Sequence, residues 1–271
     1  MPGLLSVVAT PIGNLEDITY RAVRVLKEAD WIACEDTRTT GRLLQHYQIG
    51  TRTLSYHDHN EQERSLELVN RLCAGEKGAL VSDAGTPLLS DPGYRIVRAA
   101  AEAGITVQAL PGPSAMLAGL VVSGLPTDQF HFAGFLPPKT QAREKVLREL
   151  EWESATLIFY EAPHRILETL ASIQSVYGDR EVCVARELTK LYEETIRGTA
   201  AHIAAQLVAR DSVRGEFVVL VAKGLARTDK PLDEAVRDMI AAGVDRMDAI
   251  KTVAHERGLS KREVYRIVAE K

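Results

Sequence analysis

Leu4-Leu5-Ser6-Val7-Val8-Ala9, running directly into Thr10-Pro11-Ile12-Gly13-Asn14, is the stretch on which the fold turns. A short, almost continuous apolar run closed by Pro and Gly predicts a strand buried on both faces and ending in a tight loop. The pattern returns downstream. Gly78-Ala79-Leu80-Val81 leads into Ser82-Asp83-Ala84-Gly85-Thr86-Pro87, and Ile105-Thr106-Val107-Gln108-Ala109-Leu110 stops at Pro111-Gly112-Pro113-Ser114-Ala115. Trp31-Ile32-Ala33-Cys34 is a further run, ending in Glu35-Asp36-Thr37-Arg38. Between the runs the spacing turns helical. Asp17 and Thr19 can cap a helix carrying Ala22, Val23, Val25 and Leu26; Leu66, Leu68, Val69 and Leu72 mark one over 61–74; a third is expected from about Asp91 to Ala103. Apolar strands alternating with amphipathic helices predict a mostly parallel sheet covered on both faces. Such sheets take ligands beyond the carboxyl ends of their strands, where all three Gly/Pro loops fall.

Around residues 120–140 the texture changes. Gly124-Leu125-Pro126 and 130–139 read as a crossing between domains. A second α/β unit follows, with strands at Thr156-Leu157-Ile158-Phe159-Tyr160, Val182-Cys183-Val184-Ala185 and Phe217-Val218-Val219-Leu220-Val221, and helices near 163–176 and 199–209. Residues 226–231 are a polar linker. Three short helices are expected at 232–242, 245–257 and 260–270; Ser260 and Glu263 form a capping box for the third, and Gly258 suits a helix C-cap before it. That spacing suggests a helix-turn-helix. The expected organisation is therefore an α/β domain over 1–118, a second over 119–225 that closes a cleft, and a linker with a helical tail over 226–271.

Composition narrows the function. The chain has 271 residues, 45% hydrophobic and 26% charged, enough for a well-buried core. No apolar run approaches the roughly 20 residues that span a bilayer, and the first residues lack the basic and long apolar regions of a signal peptide, so no membrane partner and a cytoplasmic location are expected. A net charge of −4 argues against coating nucleic acid by bulk charge; any RNA must be met by local basic patches. Cys34, Cys73 and Cys183 are odd in number and far apart, so each reads as a buried apolar thiol, and no spacing suggests a metal. His46, His202 and His255 read as packed or surface residues.

No Gly-x-Gly-x-x-Gly follows the first strand, and neither a Walker-type lysine loop nor a Gly-x-Ser-x-Gly elbow occurs. What remains is the trio of loops. Glycine lets backbone approach a ligand closely, the second loop offers small residues and free amides, and the third adds a hydroxyl and a helix N-terminus that favours carboxylate. Together they suit an adenosyl amino acid.

Six motifs stand in order: Ala9-Thr10-Pro11-Ile12-Gly13-Asn14-Leu15-Glu16-Asp17, Cys34-Glu35-Asp36-Thr37-Arg38, Ser55-Tyr56-His57-Asp58-His59-Asn60, Val81-Ser82-Asp83-Ala84-Gly85-Thr86-Pro87, Leu110-Pro111-Gly112-Pro113-Ser114-Ala115 and Phe159-Tyr160-Glu161-Ala162-Pro163-His164-Arg165. In this order they resemble the tetrapyrrole-methylase superfamily over residues 4–222, in its branch that methylates a ribose 2′-hydroxyl of small-subunit ribosomal RNA. The tail resembles that branch's helix-turn-helix extension. Where the small-molecule branch has Gly-Asp-Pro, this chain has Gly85-Thr86-Pro87, as the RNA branch does.

The resemblance implies S-adenosyl-L-methionine folded between two α/β domains. Carried over by position, Pro11 belongs to the first cofactor loop, Ala84, Gly85, Thr86 and Leu89 to the second, and Ser114 and Ala115 to the third; Tyr160 and Glu161 close over the adenosyl part, with a further contact near Glu216. It also implies a homodimer, and as substrate a cytidine in the decoding region of the assembled 30S subunit. A ribose hydroxyl needs help in losing its proton; Glu35, Asp36, His57 and Glu187 are the candidates, with none preferred. For RNA contact the candidates are Arg38, His164, Arg165, Lys190 and, in the tail, Lys261, Arg262 and Arg266; the tail equally suits protein contact. A C-methylase of corrinoid or haem precursors and a non-catalytic RNA-binding module are the alternatives. The RNA-type second loop counts against the first, the intact cofactor loops against the second.

Overall fold

The computed structural model describes residues 3–224, 231–257 and 259–269, without the side chains of 255 and 256. Met1 and Pro2, residues 226–230 of the expected linker, Gly258 and the side chain of His255 lie outside that description. The chain divides into two compact units, one of Met1–Glu149 with Ala155–Ala222, the other of Leu150–Ser154 with Lys223–Lys271.

The larger unit holds two five-stranded sheets. The first joins β1 (Leu4–Val8), β2 (Trp31–Cys34), β3 (Thr53–Ser55), β4 (Lys77–Val81) and β5 (Thr106–Leu110) in the order β3-β2-β4-β1-β5, every pairing parallel. Its central strands β1, β2 and β4 lack polar alternation because both their faces are covered. Leu5, Trp31, Ala33 and Leu80 pack toward α3 (Glu61–Cys73) and α4 (Tyr94–Glu102). Val8, Ile32, Cys34, Ala79 and Val81 pack toward α1 (Tyr20–Glu28) and α2 (Thr37–His46). Thr19 caps α1, its hydroxyl accepting the Ala22 N–H at 3.1 Å, while Asp17 sits in a preceding 3₁₀ turn. The third helix starts at Tyr94 rather than near Asp91: Gly93, at φ 140°, interrupts the chain and leaves Asp91-Pro92 in the loop. Cys34 and Cys183 are buried as expected, but Cys73 is exposed, since it follows Leu72 around the helix and leaves the buried stripe of Leu68 and Leu72.

The second sheet is mixed. It joins β6 (Phe130–Phe135), β7 (Thr156–Glu161), β8 (Glu181–Arg186), β9 (Glu194–Thr199) and β10 (Phe217–Val221) in the order β6-β7-β10-β8-β9; only β6 and β7 run parallel. Residues 130–135, expected as a crossing, are thus an edge strand. Helix α5 (Ala115–Ser123) spans the expected 118/119 border, and its Met116 and Leu120 pack with Cys183, Val218 and Leu220 of this sheet. A Cβ on Gly119 would stand 2.9 Å from Val218 Cγ1, so the helix lies close on the sheet because that residue is glycine. Helices α6 (Thr140–Glu149), α7 (Ile166–Tyr177) and α8 (Ala200–Val208) complete the unit.

In the smaller unit α9 (Leu232–Ala241), α10 (Arg246–Arg257) and α11 (Lys261–Ala269) bury Val236, Ala249, Ile250, Val253 and Val264 among themselves. Ser260 and Glu263 form the reciprocal cap: Ser260 N–H donates to Glu263 Oε2 at 2.8 Å, and Glu263 N–H to Ser260 Oγ at 3.3 Å. Among the described residues no helix is long and apolar enough to cross a membrane.

Candidate active site

The parallel register sets three loops side by side. Val8 pairs with Val81 on one side and Leu110 on the other, so β1, β4 and β5 end level and their loops leave from one edge. Hydrogen bonds then join the loops. Thr10 N–H donates to the Gly85 carbonyl and Gly85 N–H to that of Thr10, both at 2.9 Å. The Thr10 hydroxyl donates to the Ser82 carbonyl and that of Thr86 to the Pro113 carbonyl, each at 3.1 Å. Gly85 sits at φ +82°, a left-handed conformation that favours glycine. At Gly112 a Cβ would lie 2.9 Å from Ala9 Cβ, so only glycine lets the third loop pass this close to the first.

Facing these loops are the ends of two antiparallel neighbours in the mixed sheet. Phe217 pairs with Glu161 and Val218 with Tyr160, which brings 216–218 beside 160–164. Between the two sets lies a cavity of about 550 Å³, within the range of small-molecule sites. Ala84, Gly85, Thr86, Leu89, Ser114, Ala115, Tyr160, Glu161 and Glu216 all line it. Pro11 does not; its neighbour Ile12 does. Ser90, Asp91, Phe135 and Leu188 also line it, and sequence reasoning missed them. Asp91 was hidden because Asp-Pro before an apolar periodic stretch reads as a helix start.

The mixed-sheet wall is electrostatically closed. The Tyr160 hydroxyl accepts the Met116 N–H at 3.2 Å, and the rings of Phe132 and Phe135 stand edge-on to it at 4.8 and 5.7 Å between centroids. Burial raises its pKa. Met116 N–H is thus taken, and Leu117 N–H goes to Ser114 Oγ at 3.5 Å, so part of the α5 N-terminus is already satisfied. Glu161 is buried; Ala162 N–H donates to it at 2.9 Å, the Thr169 hydroxyl at 2.5 Å, and Arg165 Nε pairs with it at 3.3 Å. Arg165 also donates to the Leu136 carbonyl, so this arginine faces inward and serves the wall. Lys190 bridges Glu187 at 2.8 Å and Glu216 at 3.0 Å, and its stem lies over Gly13, where a Cβ would be 2.3 Å from Lys190 Cγ. Burial works to raise the pKa of Glu187, but the hydrogen bonds from Lys190 and from Glu216 N–H outweigh it and hold it below the usual range.

The parallel-sheet side is acidic. Asp36 caps α2, accepting Arg38 N–H at 2.8 Å and pairing with the Arg38 guanidinium at 3.0 Å; these bonds pull its carboxyl down to about 2. Glu35 is pushed up by desolvation and by Asp83 and Asp58, partly offset by His57. His57 Nδ1 is buried without a hydrogen-bond partner. Asp91 is raised to about 6 by burial first and then by Glu35, Asp83 and Asp58. Glu35 thus has Asp36 and His57 near it, while Glu187 is paired with Lys190 on the mixed-sheet side, and none of the four lines the cavity. Of the RNA candidates, His164 lines the cavity and is exposed, and Arg38 has 87% of its side chain exposed. Lys261, Arg262 and Arg266 are exposed on α11 of the smaller unit.

Residues 4–204 match the family model of the tetrapyrrole (corrin/porphyrin) methylases. A protein of Halalkalibacterium halodurans named ribosomal RNA small subunit methyltransferase I is 46% identical over 98% of this chain and 94% of its own length. One of the same name from Escherichia coli O157:H7 is 45% identical over 99% of the chain and 95% of its own. Among solved structures, uroporphyrin-III-C-methyltransferase of Thermus thermophilus superposes with a TM-score of 0.58 at 18% identity, covering 82% of this chain and 94% of that one. Diphthine synthase gives 0.60 at 16% identity, over 82% and 91%. At such identities the likeness concerns the fold alone.

Proposed function

The chain belongs to the tetrapyrrole methylases, whose methyl donor is S-adenosyl-L-methionine, and on that premise we propose that it methylates the ribose 2′-hydroxyl of a cytidine in the decoding region of small-subunit ribosomal RNA. The observation that carries the proposal is the mutual hydrogen bonding of the three loops around a cavity of ligand size, in a chain so similar along its whole length to relatives named for that RNA. The residues fit the donor. Gly85 and Gly112 leave room for backbone to approach it, Ala84 and Ala115 present short side chains, and Thr86 and Ser114 add hydroxyls. Tyr160, having accepted one hydrogen bond from Met116, keeps its own proton to donate.

The donor brings an electrophilic methyl group and its own leaving group, so the protein's work is alignment and exclusion of water. Leu89, Phe135 and Leu188 supply the apolar lining for that exclusion. Arg38 and His164 contact the RNA beside the cavity, and α9–α11 act as a helix-turn-helix whose Lys261, Arg262 and Arg266 meet phosphate. Arg165 and Lys190 drop out of the RNA-contact set, because their charges are spent inside the protein. The expected state is a cytoplasmic homodimer acting on the assembled 30S subunit.

Transfer of labelled methyl from S-adenosylmethionine to undermethylated 30S subunits, to naked ribosomal RNA and to a porphyrinoid tests this. Label at one cytidine ribose of the subunit is the expected result. Label on the porphyrinoid alone, or on no substrate, overturns it. Deleting 232–271 is expected to weaken subunit binding and to leave donor affinity intact.

A further inference from the structure

Four carboxylates line the cavity: Asp83, Asp91, Glu161 and Glu216. Three are engaged. Asp83 accepts Asp36 N–H at 3.1 Å, Glu161 is held by Thr169, Ala162 and Arg165, and Glu216 carries the Lys190 ammonium. Asp91 alone has no hydrogen-bond or ion-pair partner among the described residues. A half-buried carboxylate without donors is costly to keep charged. The surroundings add to that cost. Glu35 after β2, Asp58 after β3 and Asp83 after β4 all bring like charge toward it, and the Tyr160 phenol faces it from β7. His57 acts on Glu35, opposing the effect of the carboxylates there.

The chain around Asp91 is held in unusual backbone. Leu88 and Ser90 adopt φ of 74° and 67°, and Gly93 follows at 140°. Ser90 Oγ stands 3.2 Å from the point a Cβ on Gly134 would occupy, so the loop rests against a glycine in β6. Backbone strain of this kind persists only where the surroundings impose it, and it clusters at working sites.

We infer that Asp91 is the catalytic base of the methyl transfer, taking the proton of the ribose hydroxyl as that oxygen attacks the methyl carbon. This rests on the reading of the cavity as the place where methyl donor and ribose meet. The O–C bond forms while the S–C bond breaks, and its electron pair stays on sulfur, giving S-adenosylhomocysteine. The proton passes to the Asp91 carboxylate, which returns it to water. An ordinary carboxylate is too weak a base to help much at neutral pH; one raised to about 6 is better matched and still ionised there.

The test uses the full chain with 30S subunits lacking the modification. Asp91→Asn is expected to cut the single-turnover rate by about 100-fold or more, with S-adenosylmethionine affinity by calorimetry unchanged. The wild-type rate should climb through an apparent pKa near 6, and that limb should vanish in the variant. Glu35→Gln, which removes one like charge, should move the limb to lower pH. Independently of turnover, the carbon-13 carboxyl signal of Asp91 in the donor-free protein should titrate near 6. A D91N enzyme with the wild-type rate, or an Asp91 signal titrating in the ordinary range, overturns the assignment. If the wild-type chain itself transfers no methyl to subunits, it is the functional reading that fails, whatever Asp91 titrates at.

Discussion

The mixed-sheet side of the cavity and the parallel-sheet side carry the same kind of group in different states, both in the lining itself (Asp83, Asp91, Glu161 and Glu216) and on the loops around it. On the first, Glu161, Glu187 and Glu216 are each tied to a cation or an N–H within the fold. On the second, Asp36 and Asp83 are tied, but Glu35, Asp58 and Asp91 have no such partner among the described residues. A satisfied polar group contributes rigidity, and removing one side of it leaves the other buried and unpaired. An unsatisfied one lowers stability and is retained where a ligand or a proton is to be met. The difference divides the cavity into a scaffold and a reacting side.

Substitution of Glu161 should produce the largest effect. Its side chain is fully buried, and removing it strands the Arg165 guanidinium and the Thr169 hydroxyl. Glu161→Ala is expected to cost about 3–5 kcal/mol, read from urea unfolding of the full chain. A loss under about 1 kcal/mol, the range of exposed pairs, would put Glu161 on the reacting side instead.

Gly85 comes next, because it joins the loops and stands at φ +82° with Ile12 Cγ2 3.3 Å from a new Cβ. Gly85→Ala should lower stability by about 1–2 kcal/mol, the cost of a left-handed non-glycine residue. The crowded loop should also weaken S-adenosylmethionine binding about tenfold in calorimetry, equal to about 1.4 kcal/mol. Loss of stability with unchanged affinity would detach this loop from the donor.

For Asp91 the sign is reversed. Its folded pKa is raised from 3.8 to about 6, so the folded state holds the proton more tightly than the unfolded chain. Stability from this group is therefore present below pH 3.8 and lost as pH rises through about 6. Asp91→Asn should stabilise the protein at pH 7 by about 1 kcal/mol, after discounting for solvent screening. Glu187 behaves oppositely: its lowered pKa adds stability above the usual glutamate range, which is lost on acidification. Thermal melts of Asp91→Asn and Glu187→Gln at pH 7 should move in opposite directions, and a shared direction would erase the contrast between the walls.

Much of this arrangement is legible in the amino-acid order. β1, β2 and β4 announce themselves because strands buried on both faces are written as nearly unbroken apolar runs; β5, an edge strand in which only Leu110 is buried, is marked by the Pro/Gly turn at its end. β3, β6 and β9 do not. All three are edge strands with little buried apolar pattern; β3 is three residues long and buries only Leu54, β9 buries only Ile196, and β6 buries no residue fully. Nine of the residues expected around the donor line one cavity, because a loop at a strand end is placed by the sheet, and the sheet is what the pattern encodes. The pairing state of a charge is not encoded that way. Lys190, Arg165 and Arg38 look alike in a string of letters, yet partners remote in sequence decide which of them is free. The partner of Lys190 at Glu216 lies 26 residues away, and Leu136 lies 29 from Arg165.

That distinction frames the smallest effect. Arg38 is 87% exposed and tied only to Asp36 beside it, so Arg38→Ala should change stability by less than about 0.5 kcal/mol. Its guanidinium can still turn to phosphate, and without it the salt dependence of subunit binding should fall by about one unit of slope. Lys190→Ala should leave that slope unchanged, since the ammonium is already shared by Glu187 and Glu216, and should instead loosen the packing over Gly13. Filter-binding titrations of both variants across a salt series separate the two. Equal slopes for R38A and the wild type, with a reduced slope for K190A, would mean that RNA approaches over the closed wall rather than the acidic one.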